Sequence, residues 1–306
     1  MRFIVFLITF MMLFSGCSGK EVYKSVIDFG RYQSNLLLKT TPISDDLNMT
    51  YLENNIESNL TLVLIHGFGA NKDNWLELAK ELDDKYHLII PDLIGDGDSS
   101  KPFSFDYTID NQTKILHQFL TQFENKNLVL VGNSMGGQIA LNYAYYNSLI
   151  RLVLIDSMGL KVENSYVDKL GIKKIRDMYF NVCSVEKMQN MIDLSFNTPP
   201  YIPNIVLEHL TQEKCKESKL DTHKYQGILD KNFNLKDDMT TKSKSINTPT
   251  LIIWGEKDKI ISVKNAYAFG EYIPNSEVVI FENIGHMPMM EDPELTAKAI
   301  INFLQR

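Results

Sequence analysis

Cysteine and positive charge are both in short supply in this chain. Three of its 306 residues are cysteines, and their spacing matches no metal-binding pattern. Lysine and arginine sum to 31 against 38 acidic residues, so the formal net charge is −7. The sequence therefore lacks the basic footprint of a nucleic-acid-binding protein. With 44% hydrophobic and 23% charged residues and no internal repeat, it is neither collagen-like, coiled-coil nor wholly disordered.

The sequence also lacks a hydrophobic run long enough to span a membrane. The longest run, residues 3–14, has twelve residues and follows Arg2, whereas a spanning helix needs about 20. Small residues and Cys17 come next, which resembles a bacterial lipoprotein signal over residues 1–16. We expect a lipid on Cys17 to hold the protein at a membrane of the cell envelope, facing the periplasm or the exterior. An ordinary cleaved export signal, giving a secreted or periplasmic protein, and an uncleaved anchor are the alternatives.

Export would permit the remaining cysteines, Cys183 and Cys215, to form a disulfide. The sequence contains nothing that pairs them, and we expect two separate thiols.

Short apolar runs alternate with helical patterns over residues 61–157, and this rhythm returns near residue 250. Continuous runs of this kind are typical of parallel strands buried on both faces, so the pattern predicts an α/β fold. The predicted strands are residues 61–65, 87–90, 128–131, 152–155, 250–254 and 277–281, and residues 293–304 are predicted to form the last helix.

Two segments differ from this rhythm. Residues 17–46 are polar and irregular, which favours a surface arm leading into edge strands near residues 48–52. Residues 159–246 are rich in Lys, Asn, Asp and Met and carry short helical patterns, for example residues 167–180. We predict a core of residues 47–158 and 247–306, interrupted by a helical insertion after the sixth strand. Such an insertion would lie above the carboxyl ends of the strands, where open α/β sheets bind ligands.

The strongest chemical signal is the motif G-N-S-M-G-G at residues 132–137, between a predicted strand and a predicted helix. In G-x-S-x-G the serine occupies a strained turn that projects its hydroxyl from the edge of the sheet. Gly132 and Gly136 are needed because side chains there would collide with neighbouring elements. Ser134 is therefore the predicted nucleophile.

A second motif, H-G-F-G at residues 66–69, follows the first buried strand. Acyl transfer places negative charge on a carbonyl oxygen, which two backbone N–H groups can stabilise. We expect Phe68 and Met135 to supply that pair, with His66 bracing the turn.

The serine needs a base, and the base needs an acid to orient it. His286 follows the strand at 277–281, and Asp258 follows the strand at 250–254, so both are predicted at the carboxyl edge of the sheet. Asp156, which follows the strand at 152–155, is the competing acid.

The order Ser134, Asp258, His286 and the motifs around these residues resemble the α/β-hydrolase superfamily. This resemblance implies an eight-stranded, mostly parallel sheet and a helical lid over the site. Residues 66–75, 132–137 and 253–258 look like those of bacterial lipases and esterases and of membrane-bound monoacylglycerol lipases. The implied activity is hydrolysis of a lipid ester through an acyl-enzyme, with no metal or cofactor.

Three alternatives remain open. Carbon–carbon bond hydrolases of aromatic degradation share the serine motif, but they carry a small polar oxyanion loop and a Trp after the histidine, where this chain has Phe68 and Met287. A binding protein that has lost catalysis and an acyl transferase are the others. Met158, Met287 and Met289 could line an acyl pocket or could equally fill gaps in the core.

Overall fold

The computed structural model describes residues 18–123, 127–161, 181–230 and 234–306, and its centre is an eight-stranded sheet. The spatial order of the strands is β1-β2-β4-β3-β5-β6-β7-β8. Strand β2 pairs antiparallel with β1 and β4, and every other pairing is parallel. The strands are β1 Leu37–Ser44, β2 Leu47–Glu53, β3 Leu60–Ile65, β4 His87–Pro91, β5 Asn127–Asn133, β6 Arg151–Ile155, β7 Thr250–Gly255 and β8 Ser276–Phe281. The α/β-hydrolase sheet predicted from the sequence is confirmed.

The apolar runs are continuous because each face of the sheet is covered by its own hydrophobic layer. In β3, Val63 and Ile65 point into one layer, and Leu62 and Leu64 point into the other. All four side chains are fully buried. The period of two along a strand thus divides one run between two cores.

Helices cover both faces of this sheet. They are α1 Gly19–Gln33, α2 Leu76–Lys80, α3 Ile109–Leu120, α4 Met135–Tyr146, α5 Val185–Ser195, α6 Asn204–Ile228, α7 Thr240–Ser243, α8 Lys264–Tyr272, α9 Pro288–Glu291 and α10 Pro293–Leu304, with short 3-10 turns at Lys72–Trp75 and Thr121–Phe123. The last helix has the predicted bounds, because Asp292 caps it and Pro293 is its first residue. In the described parts of the chain, no helix has both the length and the hydrophobicity that crossing a membrane requires.

The amino-terminal segment differs from the irregular arm expected over residues 17–46. Helix α1 is capped by Ser18, which forms a reciprocal capping box with Glu21, and Arg31 in its last turn makes two hydrogen bonds to Asp73. Strand β1 then joins the sheet, so the core begins at Leu37 rather than at residue 47. The apolar residues Val22, Val26 and Phe29 of helix α1 recur at helical spacing, a signal that was missed because the segment is polar overall. Cys17 and the expected signal at residues 1–16 lie outside the described residues.

The insertion over residues 159–246 contributes α5, α6 and α7, whereas the helix expected at residues 167–180 lies outside the described part. Cys183, just before α5, forms a disulfide with Cys215 in α6, and their Cα atoms are 4.7 Å apart. The expectation of two separate thiols is therefore wrong. Sequence spacing could not reveal this pair, because the packing of α5 against α6 brings the residues together.

We predict that replacing both cysteines, as Cys183→Ser with Cys215→Ser, lowers the free energy of unfolding by about 2–4 kcal/mol, since the bridge restricts the unfolded chain. Urea unfolding of the oxidised protein measures this. Reductant should shift the midpoint of the parent protein and leave that of the double variant unchanged. Equal midpoints for the parent protein with and without reductant would contradict the disulfide.

Candidate active site

Ser134 sits in a strained turn between β5 and α4. Its φ and ψ are +54° and −119°, a conformation that costs a non-glycine residue about 1–3 kcal/mol. Backbone hydrogen bonds hold it there: the Ser134 amide donates to the Ile155 carbonyl in β6, and its own carbonyl accepts from Gly137, Gln138 and Met158. The Ser134 side chain therefore stands in a rigid position at the carboxyl edge of the sheet.

The glycines around Ser134 are present for steric reasons, as the sequence predicted. A Cβ atom at Gly132 would lie 2.3 Å from the Gly136 carbonyl oxygen, and one at Gly136 would lie 2.2 Å from the Ile65 carbonyl oxygen. Any side chain at either position would push α4 away from the strands. The turn that positions Ser134 consequently tolerates no larger residue at these two sites.

His286 and Asp258 come together at the same edge of the sheet. The Nδ1 atom of His286 lies 2.7 Å from Oδ2 of Asp258, so the imidazole donates its Nδ1 proton to that carboxylate. The other oxygen, Oδ1, accepts from the amides of Ile260 and Ile261 at 2.7 and 3.0 Å. With its side chain fully buried and both oxygens engaged, Asp258 holds the ring in one orientation and leaves Nε2 for chemistry.

The histidine loop is attached directly to the strand that carries the serine. The side-chain amide of Asn133, the last residue of β5, donates to the carbonyl oxygens of Ile155 and His286, both at 3.2 Å. Sequence reasoning assigned no role to Asn133, although it sits inside the serine motif. This bond links the backbone of His286 to the residue next to Ser134.

Glu291 is a second residue that sequence reasoning missed. One carboxylate oxygen accepts from the Gly285 amide at 2.7 Å, and the other accepts from the amides of Asn197 and Thr198 in the insertion. The His286 amide also donates to the Ser195 carbonyl at 3.0 Å. The insertion and the histidine loop are therefore joined by hydrogen bonds to backbone groups, and no sequence motif indicates these bonds.

Asp156, the competing acid, is completely buried beside Asp258. Its Oδ1 accepts from the Gly255 amide at 3.0 Å. Burial raises the pKa of Asp156 well above its ordinary value, and the negative charge of Asp258 raises it further. This environment favours the protonated form of Asp156, whereas Asp258 is the acid in contact with the imidazole.

The turn after β3 lies against the serine. A Cβ at Gly67 would be 3.0 Å from the Ser134 Cβ. His66 is fully buried; its Nδ1–H donates to the Gly67 carbonyl, and its Nε2 accepts from the Leu93 amide at 3.0 Å. The structure thus supports a bracing role for His66. Met135, on the other side of the serine, is the first residue of α4, where backbone amides have no acceptor within the helix.

The three methionines considered for an acyl pocket occupy different environments. Met289 is fully buried, and Met287 is nearly so, in the hydrophobic layer that contains β3 residues Leu62 and Leu64. Met158 is half-buried and its amide donates to the Ser134 carbonyl. Burial in the core favours the gap-filling interpretation for Met289, whereas Met158 lies beside the serine.

One set of side chains could in principle share a cation among the described residues. Ligand atoms of Asp156, Asp258 and His286 lie within 4.8 Å of one another. Nδ1 of His286 and Oδ2 of Asp258 are already joined by their hydrogen bond, and a protonated Asp156 is a poor ligand. The donor set fits a hydrogen-bonded pair of histidine and acid better than a metal site.

Comparisons with known proteins agree with this geometry. The family described as alpha/beta hydrolase fold matches residues 61–174 and 201–293. Lipase 1 of Psychrobacter immobilis is 35% identical over 90% of this chain and 86% of its own length. Human monoacylglycerol lipase ABHD6 is 31% identical over 80% of this chain and 75% of its own. The crystal structure of a membrane phospholipase A superposes with a TM-score of 0.87, at 31% identity, over 99% of this chain and 98% of that one. On these matches, the chain belongs to the α/β-hydrolase family, among its enzymes of the lipase and esterase type.

Proposed function

We propose that this protein hydrolyses carboxylic esters of lipids, with Ser134 as nucleophile, His286 as general base and Asp258 as the acid that orients it. The observation that carries the proposal is the 2.7 Å contact between His286 and Asp258 in a loop that Asn133 ties to the serine turn. The relatives named as lipases support the ester as the bond cleaved.

The reaction runs in two halves. His286 takes the hydroxyl proton of Ser134 as the oxygen attacks the ester carbonyl, and the oxyanion is stabilised by the amides of Phe68 and Met135. His286 then protonates the departing alcohol and leaves an acyl group on Ser134. Water, deprotonated by His286, attacks the acyl-enzyme; the bond between the acyl carbon and Ser134 Oγ then breaks, His286 returns its proton to Oγ, and the fatty acid is released.

The substrate class follows from the surroundings of the serine and from the relatives. Met158 and the Phe68 ring offer apolar contacts near Ser134, which suits an acyl chain. A monoacylglycerol or another ester of short to medium acyl length is the proposed substrate. The helical insertion forms the cover that limits access of water to the acyl-enzyme.

Attachment to a membrane completes the proposal. Lipidation of Cys17 would place the bilayer one residue before the cap of α1. The disulfide between Cys183 and Cys215 suits an oxidising compartment, which supports export. The protein would then face the periplasm or the exterior, close to lipid substrates.

The nucleophile is tested by labelling with a fluorophosphonate probe and by turnover of glycerol and nitrophenyl esters of increasing chain length. We expect one adduct, on Ser134, and for Ser134→Ala a loss of turnover of at least about 10⁴-fold, because triad members act as a unit. Thermal unfolding of the variant controls for folding. Normal ester turnover by Ser134→Ala, or no adduct on the folded parent protein, would overturn the assignment.

The two buried acids should respond differently to amide substitution. Asp258→Asn removes the charge that orients the imidazole and should reduce kcat by about 10⁴-fold. Asp156→Asn keeps an uncharged group that can accept from Gly255 and donate to Asp258, so kcat should stay within about tenfold of the parent value. Steady-state kinetics on a soluble ester compares the two. The opposite ranking would make Asp156 the catalytic acid.

Membrane attachment through Cys17 is tested in the bacterial cell. Cys17→Ser removes the acceptor of the lipid and should move the protein from the membrane fraction to the soluble fraction after centrifugation, because burial of the acyl chains in the bilayer supplies the membrane affinity. The double variant Cys183→Ser with Cys215→Ser serves as the control, since it removes the two cysteines that are joined to each other and carry no lipid. An unchanged distribution of Cys17→Ser would contradict lipidation.

A further inference from the structure

Lys224 is a buried lysine that the proposed chemistry does not use. It lies in α6, in the insertion, and only 3% of its surface is exposed. A lysine is almost never buried to this extent unless its charge is paired. Its surroundings are therefore informative about what the insertion does.

Three oxygen atoms surround the ammonium group of Lys224, two of them as hydrogen-bond acceptors and the third as an ion-pair partner. The Nζ atom lies 2.6 Å from Oδ1 of Asp96 and 3.1 Å from the Gly95 carbonyl oxygen, both in the turn after β4. It also lies 2.7 Å from Oδ1 of Asp221, one turn earlier in α6. Burial by itself would lower the pKa of Lys224, but Asp96 and Asp221 raise it above its ordinary value, so the group stays charged. The charge joins the insertion to the core.

The same ammonium group lies over the ring of Phe68, 5.2 Å from its centroid, and the Tyr225 ring meets Phe68 edge to face at 6.1 Å. One turn of α6 thus contacts the residue whose amide is the proposed oxyanion donor. A cation over an aromatic face is attractive, and more so where water is excluded.

The turn that carries Phe68 needs external support. Gly67 and Gly69 flank Phe68, and Gly69 has φ of +65°, so this backbone has few restrictions of its own. His66 braces the near end. At the far end, Nζ of Lys214 in α6 lies 3.5 Å from the Gly69 carbonyl oxygen and 2.7 Å from Asp221. The oxyanion turn is thus supported by two lysines of the insertion that share one carboxylate.

We infer that Lys224 is a positioning residue for ester hydrolysis: anchored on Asp96, Gly95 and Asp221, it fixes the Phe68 ring and thereby the Phe68 amide that receives the oxyanion. This inference rests on the proposed function. It adds that the insertion builds part of the oxyanion site in addition to covering it. A donor must be held to a fraction of an ångström to act in the transition state.

The test is kinetic. Lys224→Met alone leaves the buried Asp96 without its cation, so a second variant combines Lys224→Met with Asp96→Asn. In this double variant, Asp221 still has Lys214 as its ion-pair partner. Both should lower kcat on a soluble nitrophenyl ester by about 10- to 100-fold with KM within twofold, because a misplaced donor affects the transition state most. Affinity for a trifluoromethyl ketone, which forms a tetrahedral adduct on the serine, should fall by the same factor as kcat/KM.

Lys242→Met is the matched control. Lys242 also joins the insertion to the core, through Asn142 at 2.6 Å, on the part of α4 remote from the serine. Its kcat should stay within twofold of the parent value. Lys224→Arg, which retains the charge, should recover part of the loss that Lys224→Met produces.

A double-mutant cycle separates positioning from general loosening of the fold. In a Phe68→Leu background there is no ring to hold, so adding Lys224→Met should cost less than about threefold in kcat. The inference would be overturned if Lys224→Met lowered kcat equally in the parent and in the Phe68→Leu background. It would also be overturned if the folded Lys224→Met, Asp96→Asn variant kept a kcat within twofold of the parent value, or if only KM increased. If the parent protein neither turns over esters nor labels on Ser134, the proposed function fails, and this inference with it; in an active parent protein only the inference is at stake.

Discussion

The strained backbone of Ser134 is the constraint on which the rest of the site depends. A residue with φ of +54° between a strand and a helix stays there only if its neighbours leave no alternative. Gly132 and Gly136 have no side chains, which lets β5, α4 and β3 approach closely. The Ser134 carbonyl oxygen accepts hydrogen bonds from three backbone amides. The strain is offset by packing of the parallel sheet, whose central side chains are fully buried. The stability of the core therefore holds the serine in position.

Burial and hydrogen bonding distinguish the two acidic residues of this site. Asp156 and Asp258 follow the adjacent strands β6 and β7. An environment without water does not favour two negative charges side by side. Asp258 receives two backbone amides and the imidazole, which stabilise its charge, whereas Asp156 receives one amide and has its pKa raised by burial. Two residues of the same type thus meet different environments because their burial and their hydrogen-bond partners differ.

The strands of the sheet and the serine turn could be predicted from the sequence, because local patterns of residues indicate them. Apolar runs mark strands buried on two faces, and G-x-S-x-G marks a turn with one steric solution. Helix α1 carries both a helical spacing of apolar residues and a capping box at Ser18 and Glu21, and it was missed because the segment is polar overall. The pairing of Cys183 with Cys215 depends on how two helices pack. The roles of Asn133, Glu291 and Lys224 depend on partners far away in the chain, and no local pattern encodes such contacts.

These distant contacts change how the insertion is understood. Its helices meet the histidine loop at Ser195 and Asn197 and meet the oxyanion turn through Lys214 and Lys224. The disulfide between Cys183 and Cys215 joins the two helices that make these contacts. Moving this segment away from the core would break the buried ion pair between Lys224 and Asp96, whereas the disulfide lies within the insertion and would move with it. The contacts of α5 and α6 with the loop that carries His286 and with the turn that carries Phe68 therefore make these helices part of the proposed site rather than a separate layer above it.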